Sequence, residues 1–295
     1  MNGILVVNKP SGMTSHDVVN IVRRLFGTRR VGHTGTLDPM ATGVLVMLLG
    51  PATRLAQFMV HNEKRYLGTI RLGIATSTYD AEGEIVAVNP VEVGGEAIQA
   101  AVARFQGDIQ QIPPMYSALK VHGQKLYDLA RQGITIEREP RAVTIYHSEV
   151  VEWQPPDLVL DIQCSAGTYI RSLAHDIGED LGCGAHLHAL TRTSSHGFSL
   201  AESYTLETLN ALAEHGNLLS ALLAPRAALG QAPVVILKPA QVASIRQGQS
   251  LTLAEIEETP VIQALDLQGA LVAVMIQTGN GTWRPKVVMP AGTTD

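Results

Sequence analysis

The chain opens on a short β-favouring apolar run over residues 3–7, broken by the turn Lys9-Pro10-Ser11-Gly12. The period then changes: Val18, Ile21, Val22 and Leu25 recur at helical spacing, with Thr14 or Ser15 as the cap and Gly27 as the stop. A glycine-rich loop over 32–43 follows, then an apolar strand from Val44 and a helix expected around 54–60. From Arg65 the pattern alternates, and 66–70 and 84–88 read as strands joined by turns. A helix is predicted over 96–105.

The stretch 112–140 breaks this pattern. It begins with Pro113-Pro114, carries Lys120, His122, Lys125 and Arg131, and holds a helical pattern over 124–131. It reads as an inserted, mobile loop with a helical tip. Strand patterns return at 143–153 and 158–165, then a helix over 169–181 and a strand over 186–193. A Pro/Ala/Gly-rich stretch, 224–233, marks the best domain boundary. Beyond it, strand patterns at 234–237, 261–265, 271–277 and 283–288 surround one short helix and predict a small β barrel. The order indicates an α+β fold: a mixed, largely antiparallel sheet flanked by helices over 1–225, with the insert, and a small β domain over 232–295.

At 295 residues and 45% apolar content the chain can bury a sizeable core. Its longest uncharged apolar run, 44–49, is far below the roughly 18 residues of a bilayer span. The N-terminus has no charged-then-apolar secretory pattern, so the expectation is a soluble, cytoplasmic protein without a membrane partner. Two cysteines, Cys164 and Cys183, exclude a disulfide framework and a four-thiolate metal site. The net charge of −5 argues against a nucleic-acid partner only until it is placed along the chain. Residues 1–71 hold nine Lys/Arg against three Asp/Glu, and 104–141 hold six against four, while the acidic excess lies elsewhere. Because charges act locally within a screening length of about 8–10 Å, the basic N-terminal third can hold an anionic polymer.

Three motifs carry candidate chemistry. In Gly32-His33-Thr34-Gly35-Thr36-Leu37-Asp38-Pro39-Met40-Ala41-Thr42-Gly43 one carboxylate sits at the centre of a tight loop. It is not a phosphate-binding P-loop, since no Lys-Ser/Thr follows the last glycine. Spacing alone equally allows Asp38 as an ordinary turn aspartate before Pro39. Gly167-Thr168-Tyr169-Ile170-Arg171 sets an arginine at a strand-to-helix junction, able to hold a carboxylate such as Asp38 ionised, or to lie on the first exposed turn of the helix. Lys64-Arg65-Tyr66 places an aromatic beside two cations, either a platform for a stacked base or a plain strand residue. Cys183, His186 and His188 fit a turn better than a metal site, and His175-Asp176 lacks a nucleophile for a hydrolase triad.

Together these segments resemble the bacterial tRNA pseudouridine-55 synthases of the TruB type. The matching stretches are Asn8-Lys9-Pro10 with Gly12 and Thr14-Ser15, the 32–43 loop, Lys64-Arg65-Tyr66, Ile112-Pro113-Pro114-Met115-Tyr116-Ser117-Ala118-Leu119-Lys120, and Gly167-Thr168-Tyr169-Ile170-Arg171, in family order. The resemblance implies a catalytic domain over 1–225, in which the 112–140 insert closes on the RNA, and a PUA-like RNA-binding domain over 232–295. It implies a catalytic Asp38 and an Arg171 paired with it. Tyr66 would stack on the uracil and serve as a candidate base at C5. Tyr169 and Leu190 would line the pocket, His33 would fill the space of the flipped base, and Lys9, Lys64, Lys120, Lys125 and Arg131 would contact substrate. It implies no metal or cofactor, a tRNA T-arm stem-loop as partner, and a monomer. Two rivals remain within reach of the sequence: a tRNA-binding and folding module whose catalysis is secondary, and a guide-RNA-dependent synthase, against which the long insert speaks.

Overall fold

The computed structural model describes residues 1–59, 63–117, 119–121, 123–130, 132–134, 136–253, 256, 259–279 and 281–291. The chain packs as two compact units. One gathers residues 1–38, 44–60 and 196–295, and the other residues 39–43 and 61–195.

In the first unit β1 (Gly3–Lys9) is apolar without alternation because both of its faces are covered. Ile4 and Val6 enter one cluster with Val44, Val46, Leu48 and Leu55, while Leu5 and Val7 enter another with Val18, Val22, Leu45 and Met47. The helix α1 (Ser15–Leu25) starts on a capping box: Thr14 Oγ1 accepts from Asp17 N at 3.1 Å and the Asp17 carboxylate accepts from Thr14 N at 2.9 Å. Gly27, at φ +59°, ends it. The strands β2 (Val31–His33) and β3 (Thr42–Leu49) pair antiparallel, so the glycine-rich loop is the connection of a hairpin. The helix expected around 54–60 is instead a 3₁₀ helix over Gly50–Phe58, started by Pro51, and Val60 lies outside the described residues.

The second unit is built on β4 (Lys64–Leu72). A small hairpin, β5 (Ile74–Thr76) with β6 (Ile85–Val88), precedes α2 (Gly95–Arg104) and β7 (Gly107–Gln111). The insert holds a second hairpin, β8 (Lys120–Val121) with β9 (Gln124–Lys125), and α3 (Leu126–Ala130). The expected helix over 124–131 is therefore shorter at its start, because Gly123 at φ +84° turns the chain into the hairpin. Then come β10 (Arg141–Gln154), β11 (Asp157–Cys164), α4 (Ile170–Asp180) and β12 (Ala185–Ser195). The sheet order is β12-β4-β11-β10-β7, antiparallel throughout, and Thr42 and Gly43 add to β12 in parallel. At Gly43, with φ +101°, a Cβ would stand 2.3 Å from Arg192 O, so only glycine fits. Such a sheet is the mixed, mainly antiparallel, helix-flanked α+β design that the sequence predicts.

The rest of the first unit comprises β13 (Phe198–Ser199), α5 (Leu206–Glu214), β14 (Val234–Ile236), α6 (Pro239–Arg246), β15 (Leu251–Thr252), β16 (Val261–Leu265), β17 (Leu271–Gly279) and β18 (Thr282–Val288). Backbone bonds from Tyr204 and Leu223 lie along β1: Tyr204 N donates to Val6 O at 2.9 Å and Leu223 N to Ile4 O at 2.8 Å. The C-terminal strands run β14-β16-β17-β18-β15, which leaves β14 and β15 at opposite ends. Among the described residues this is an open five-stranded sheet rather than the expected barrel. Trp283, Ile245 and Ile262 fill one of its cores. Leu265, Leu271, Val274, Val287 and Met289 join the cluster of Ile4 and Val6. No helix of the described residues is long and apolar enough to cross a membrane.

The seat of α4 on β12 yields a first expectation. A Cβ at Gly178 would stand 2.3 Å from Ala185 N and 2.5 Å from Ala185 Cβ. Gly178→Ala should therefore lower stability by about 1–3 kcal/mol in urea unfolding. An unchanged midpoint would mean that the helix seat is loose.

Candidate active site

The first unit holds the candidate carboxylate. Asp38 is half-buried, and the residue before it is pinned: Leu37 N donates to Ser15 Oγ at 2.9 Å and Ser15 Oγ donates to Leu37 O at 3.1 Å. Ser15 is itself buried, so this staple works away from water, where a hydrogen bond holds geometry best. The sequence offers Ser15 as a helix cap, but Thr14 takes the cap and Ser15 holds the loop. His33 lies half-buried on β2, opposite Met47. Lys9 is fully buried, and its ammonium donates to Pro10 O at 2.8 Å and Met13 O at 2.7 Å. A lysine so placed ties the turn after β1. In the Arg23–Arg30 cluster, Arg30 Nε donates to Thr53 Oγ1 at 3.0 Å and Arg23 Nη1 to Asn20 Oδ1 at 3.2 Å.

The second unit gathers the aromatic and apolar candidates. Tyr66, 6% exposed, and Gly68 lie on one face of β4, since side chains alternate along a strand. Across from them on β12 stand Arg192 and Leu190. A Cβ at Gly68 would lie 3.6 Å from Leu190 Cδ1 and 3.7 Å from Ile170 Cγ2, so the missing side chain leaves room between a leucine and the first turn of α4. Tyr169, the residue before α4, is fixed by a reciprocal pair: its N donates to Gln111 Oε1 at 2.7 Å and Gln111 Nε2 donates to its carbonyl at 3.0 Å. Ser172 Oγ donates to Ile112 O at 2.8 Å, so the start of α4 also anchors the start of the insert.

Arg171 is 4% exposed, which overturns the reading of an exposed helix turn. Its Nη1 lies 3.2 Å from Asp80 Oδ2 and donates to Thr78 O at 3.2 Å, while Nη2 donates to Tyr116 O at 2.7 Å. A guanidinium taken out of water needs such a set, because an unpaired buried charge costs several kcal/mol. Asp80 is buried in turn. Its Oδ1 accepts from Thr78 Oγ1 at 2.5 Å and Glu82 N at 3.1 Å, and its carbonyl accepts from Thr76 Oγ1 at 2.7 Å. The sequence reading missed Asp80. The signal available was an aspartate in the hydroxyl-rich run Ser77-Thr78-Tyr79-Asp80, a composition that favours a side-chain-bonded turn.

Lys64 lies half-buried at the head of β4, where burial, and after it the Arg192 guanidinium, push its ammonium down to about 8. Burial pushes the neighbouring Cys164 thiol up to about 11, so this cysteine is no nucleophile near neutrality. Of the insert's cations, Arg131 lies outside the described residues, and Lys120 and Lys125 are described only as strand positions. Among the described residues no group of three His, Cys, Asp or Glu could hold a metal ion. His186 Nδ1 faces Ile74 O at 2.8 Å, and the His175 ring stacks on Tyr79.

A family model described as the TruB family pseudouridylate synthase N-terminal domain matches residues 23–170, and one described as the tRNA pseudouridylate synthase B C-terminal domain matches 171–230. A tRNA pseudouridine synthase B of Dehalococcoides mccartyi is 44% identical over 98% of this chain and 96% of its own length. One of Alkaliphilus oremlandii is 52% identical over 72% of this chain and 71% of its own. Among solved structures, a chain of an H/ACA RNP bound to a substrate RNA containing 2′-deoxyuridine matches with a TM-score of 0.75 and 27% identity, over 98% of this chain and 85% of that one.

The Lys64 site generates an expectation with a definite sign. Its folded pKa of about 8 lies below that of the unfolded chain, so the unfolded state holds a proton the folded state has released between about pH 8 and 10.5. Lys64 therefore costs stability below pH 8, and that cost fades as pH rises through the window. Lys64→Met should be more stable than the parent near neutrality, with the gap in unfolding free energy closing toward about pH 10. A gap independent of pH would exclude the shift.

Proposed function

The chain belongs to the TruB family of pseudouridylate synthases, and from this premise we propose that it isomerises uridine 55 in the T-loop of tRNA through Asp38, Tyr66 and Arg171. It is an isomerase that makes pseudouridine in tRNA. The observation that carries the residue assignment is the face of β4 and β12 on which a buried tyrosine, a leucine and an empty glycine position adjoin the start of α4.

The chemistry suits these groups. The target base must leave the RNA stack, at a cost of a few kcal/mol, and His33 on its hairpin fills the vacated space. The N1–C1′ bond then breaks, the freed uracil turns, a C5–C1′ bond forms, the proton on C5 leaves, and N1 takes up a proton in its place. Atoms and oxidation state are conserved, so the step calls for positioned groups rather than a redox partner. Asp38 acts at the ribose, as nucleophile at C1′ or as base at C2′. Arg171, a fixed cation, keeps that carboxylate ionised. Tyr66 stacks on the uracil so that it rotates without escaping, and its phenol takes the C5 proton. Leu190 and Tyr169 line the pocket.

Lys120, Lys125 and Arg131 meet phosphates, which sets the RNA register without reading sequence, and Lys64 contacts substrate. Residues 1–225 act as the catalytic domain, with 112–140 as the segment that closes on the T-arm. Residues 232–295 act as a PUA-like RNA-binding domain. The protein works as a cytoplasmic monomer on the bare T-arm stem-loop; 44–52% identity to proteins named tRNA pseudouridine synthase B favours this over a guide-dependent enzyme.

The test is base-resolved pseudouridine mapping on an unmodified T-arm stem-loop incubated with the purified protein. Wild type should convert one uridine unaided. Asp38→Asn should give no detectable product while tRNA affinity stays within about twofold; product at the wild-type rate would remove the catalytic assignment. Tyr66→Phe keeps the stacking area and loses the phenol, so affinity should hold and turnover should fall. Full turnover in that variant would assign the C5 proton to another group.

A further inference from the structure

Tyr79 is one of two residues other than glycine with positive φ among the described residues, at φ +64°. A side chain in this left-handed conformation carries strain that glycine would not. The turn itself does not need the ring. Tyr79 N donates to Thr76 O at 3.2 Å, Tyr79 O accepts from Leu187 N at 2.9 Å, and the Thr76 and Thr78 hydroxyls bond to Asp80. What the tyrosine adds is a face-to-face stack on His175, with ring centroids 4.0 Å apart and planes 8° from parallel. His175 lies one helical turn beyond Arg171, and i and i+4 share a helix face. The residues on either side of Tyr79 both grip one nitrogen of Arg171: Thr78 through its carbonyl and Asp80 through its carboxylate, each at 3.2 Å.

We propose that Tyr79 and His175 form a positioning clamp that locks the Thr78–Asp80 loop onto α4 and so fixes the angle at which Arg171 is presented. Neither ring touches the reacting atoms. The clamp acts through Arg171, and the inference rests on the reading of Arg171 as the carboxylate's partner. A guanidinium is planar, and a small rotation misdirects both of its donor edges. Backbone bonds and the Thr76 and Thr78 hydroxyls hold the loop's conformation, whereas the stack adds to Arg171's own contacts in holding the loop's lateral position on the helix. Strain at Tyr79 persists because a glycine there would make the same turn without the ring.

The test separates positioning from folding. Tyr79→Gly removes the strain together with the ring, so its urea midpoint should equal or exceed that of wild type. Its single-turnover rate of pseudouridine formation should fall about tenfold, with tRNA affinity unchanged. Tyr79→Phe should restore the rate. His175→Ala removes the other ring without touching the strained backbone and should show the same loss, and the double variant should be no slower than either single one. A wild-type rate in Tyr79→Gly or His175→Ala overturns the clamp. So does a fall in rate that is matched by parallel losses of stability and tRNA affinity in both. Arg171→Lys serves as the control: if it runs at full rate, the reading of Arg171 itself has failed, whereas a slow Arg171→Lys beside a fast Tyr79→Gly condemns the clamp alone.

Discussion

A guanidinium buried at the start of α4 must be met by acceptors, and meeting it draws together parts of the second unit that are distant in sequence. Asp80 and Thr78 come from the loop between β5 and β6, and Tyr116 comes from the start of the insert. Tyr169 and Ser172, flanking Arg171, then tie Gln111 and Ile112 to the same helix end. The desolvation cost of one charge thus enforces the path of two loops. A neutral residue at this position would leave Asp80 without its cation and Tyr116 without its donor.

The sheet beneath supplies rigidity by close approach. Gly43 meets the backbone of Arg192, Gly178 seats α4 against Ala185, and Gly68 leaves open the space between Leu190 and Ile170. At the first two positions absent side chains bring backbones together, and at the third the absence creates room.

Local features were legible in the sequence because their causes are local. The helix α1 needs only a hydroxyl at Thr14 before its apolar spacing and Gly27 after it. The 32–43 loop, Tyr66 and Arg171 stood out as motifs. What stayed hidden depends on burial and on distant partners. Nothing in the sequence marks Lys9 as buried, but β1 is covered on both faces and takes Lys9 inside. Asp80 and the Ser15 staple have partners far along the chain, which no spacing rule reaches. The 3₁₀ helix after β3 escaped because Pro51 starts the segment earlier than the apolar spacing suggests.

The placement of β1 has a consequence for synthesis. The strand is flanked by Tyr204 and Leu223 and shares a buried cluster with Leu265, Val274 and Met289. Part of its cover lies near it in sequence, at Val18, Val44 and Val46, and part far along the chain, at Leu265 and Met289. The second unit, nearly continuous from residue 61 to 195, can close while β1 still waits. Closure of the first unit therefore waits for the segment beyond residue 196, whereas β1 can meet Val18 and Val44 long before.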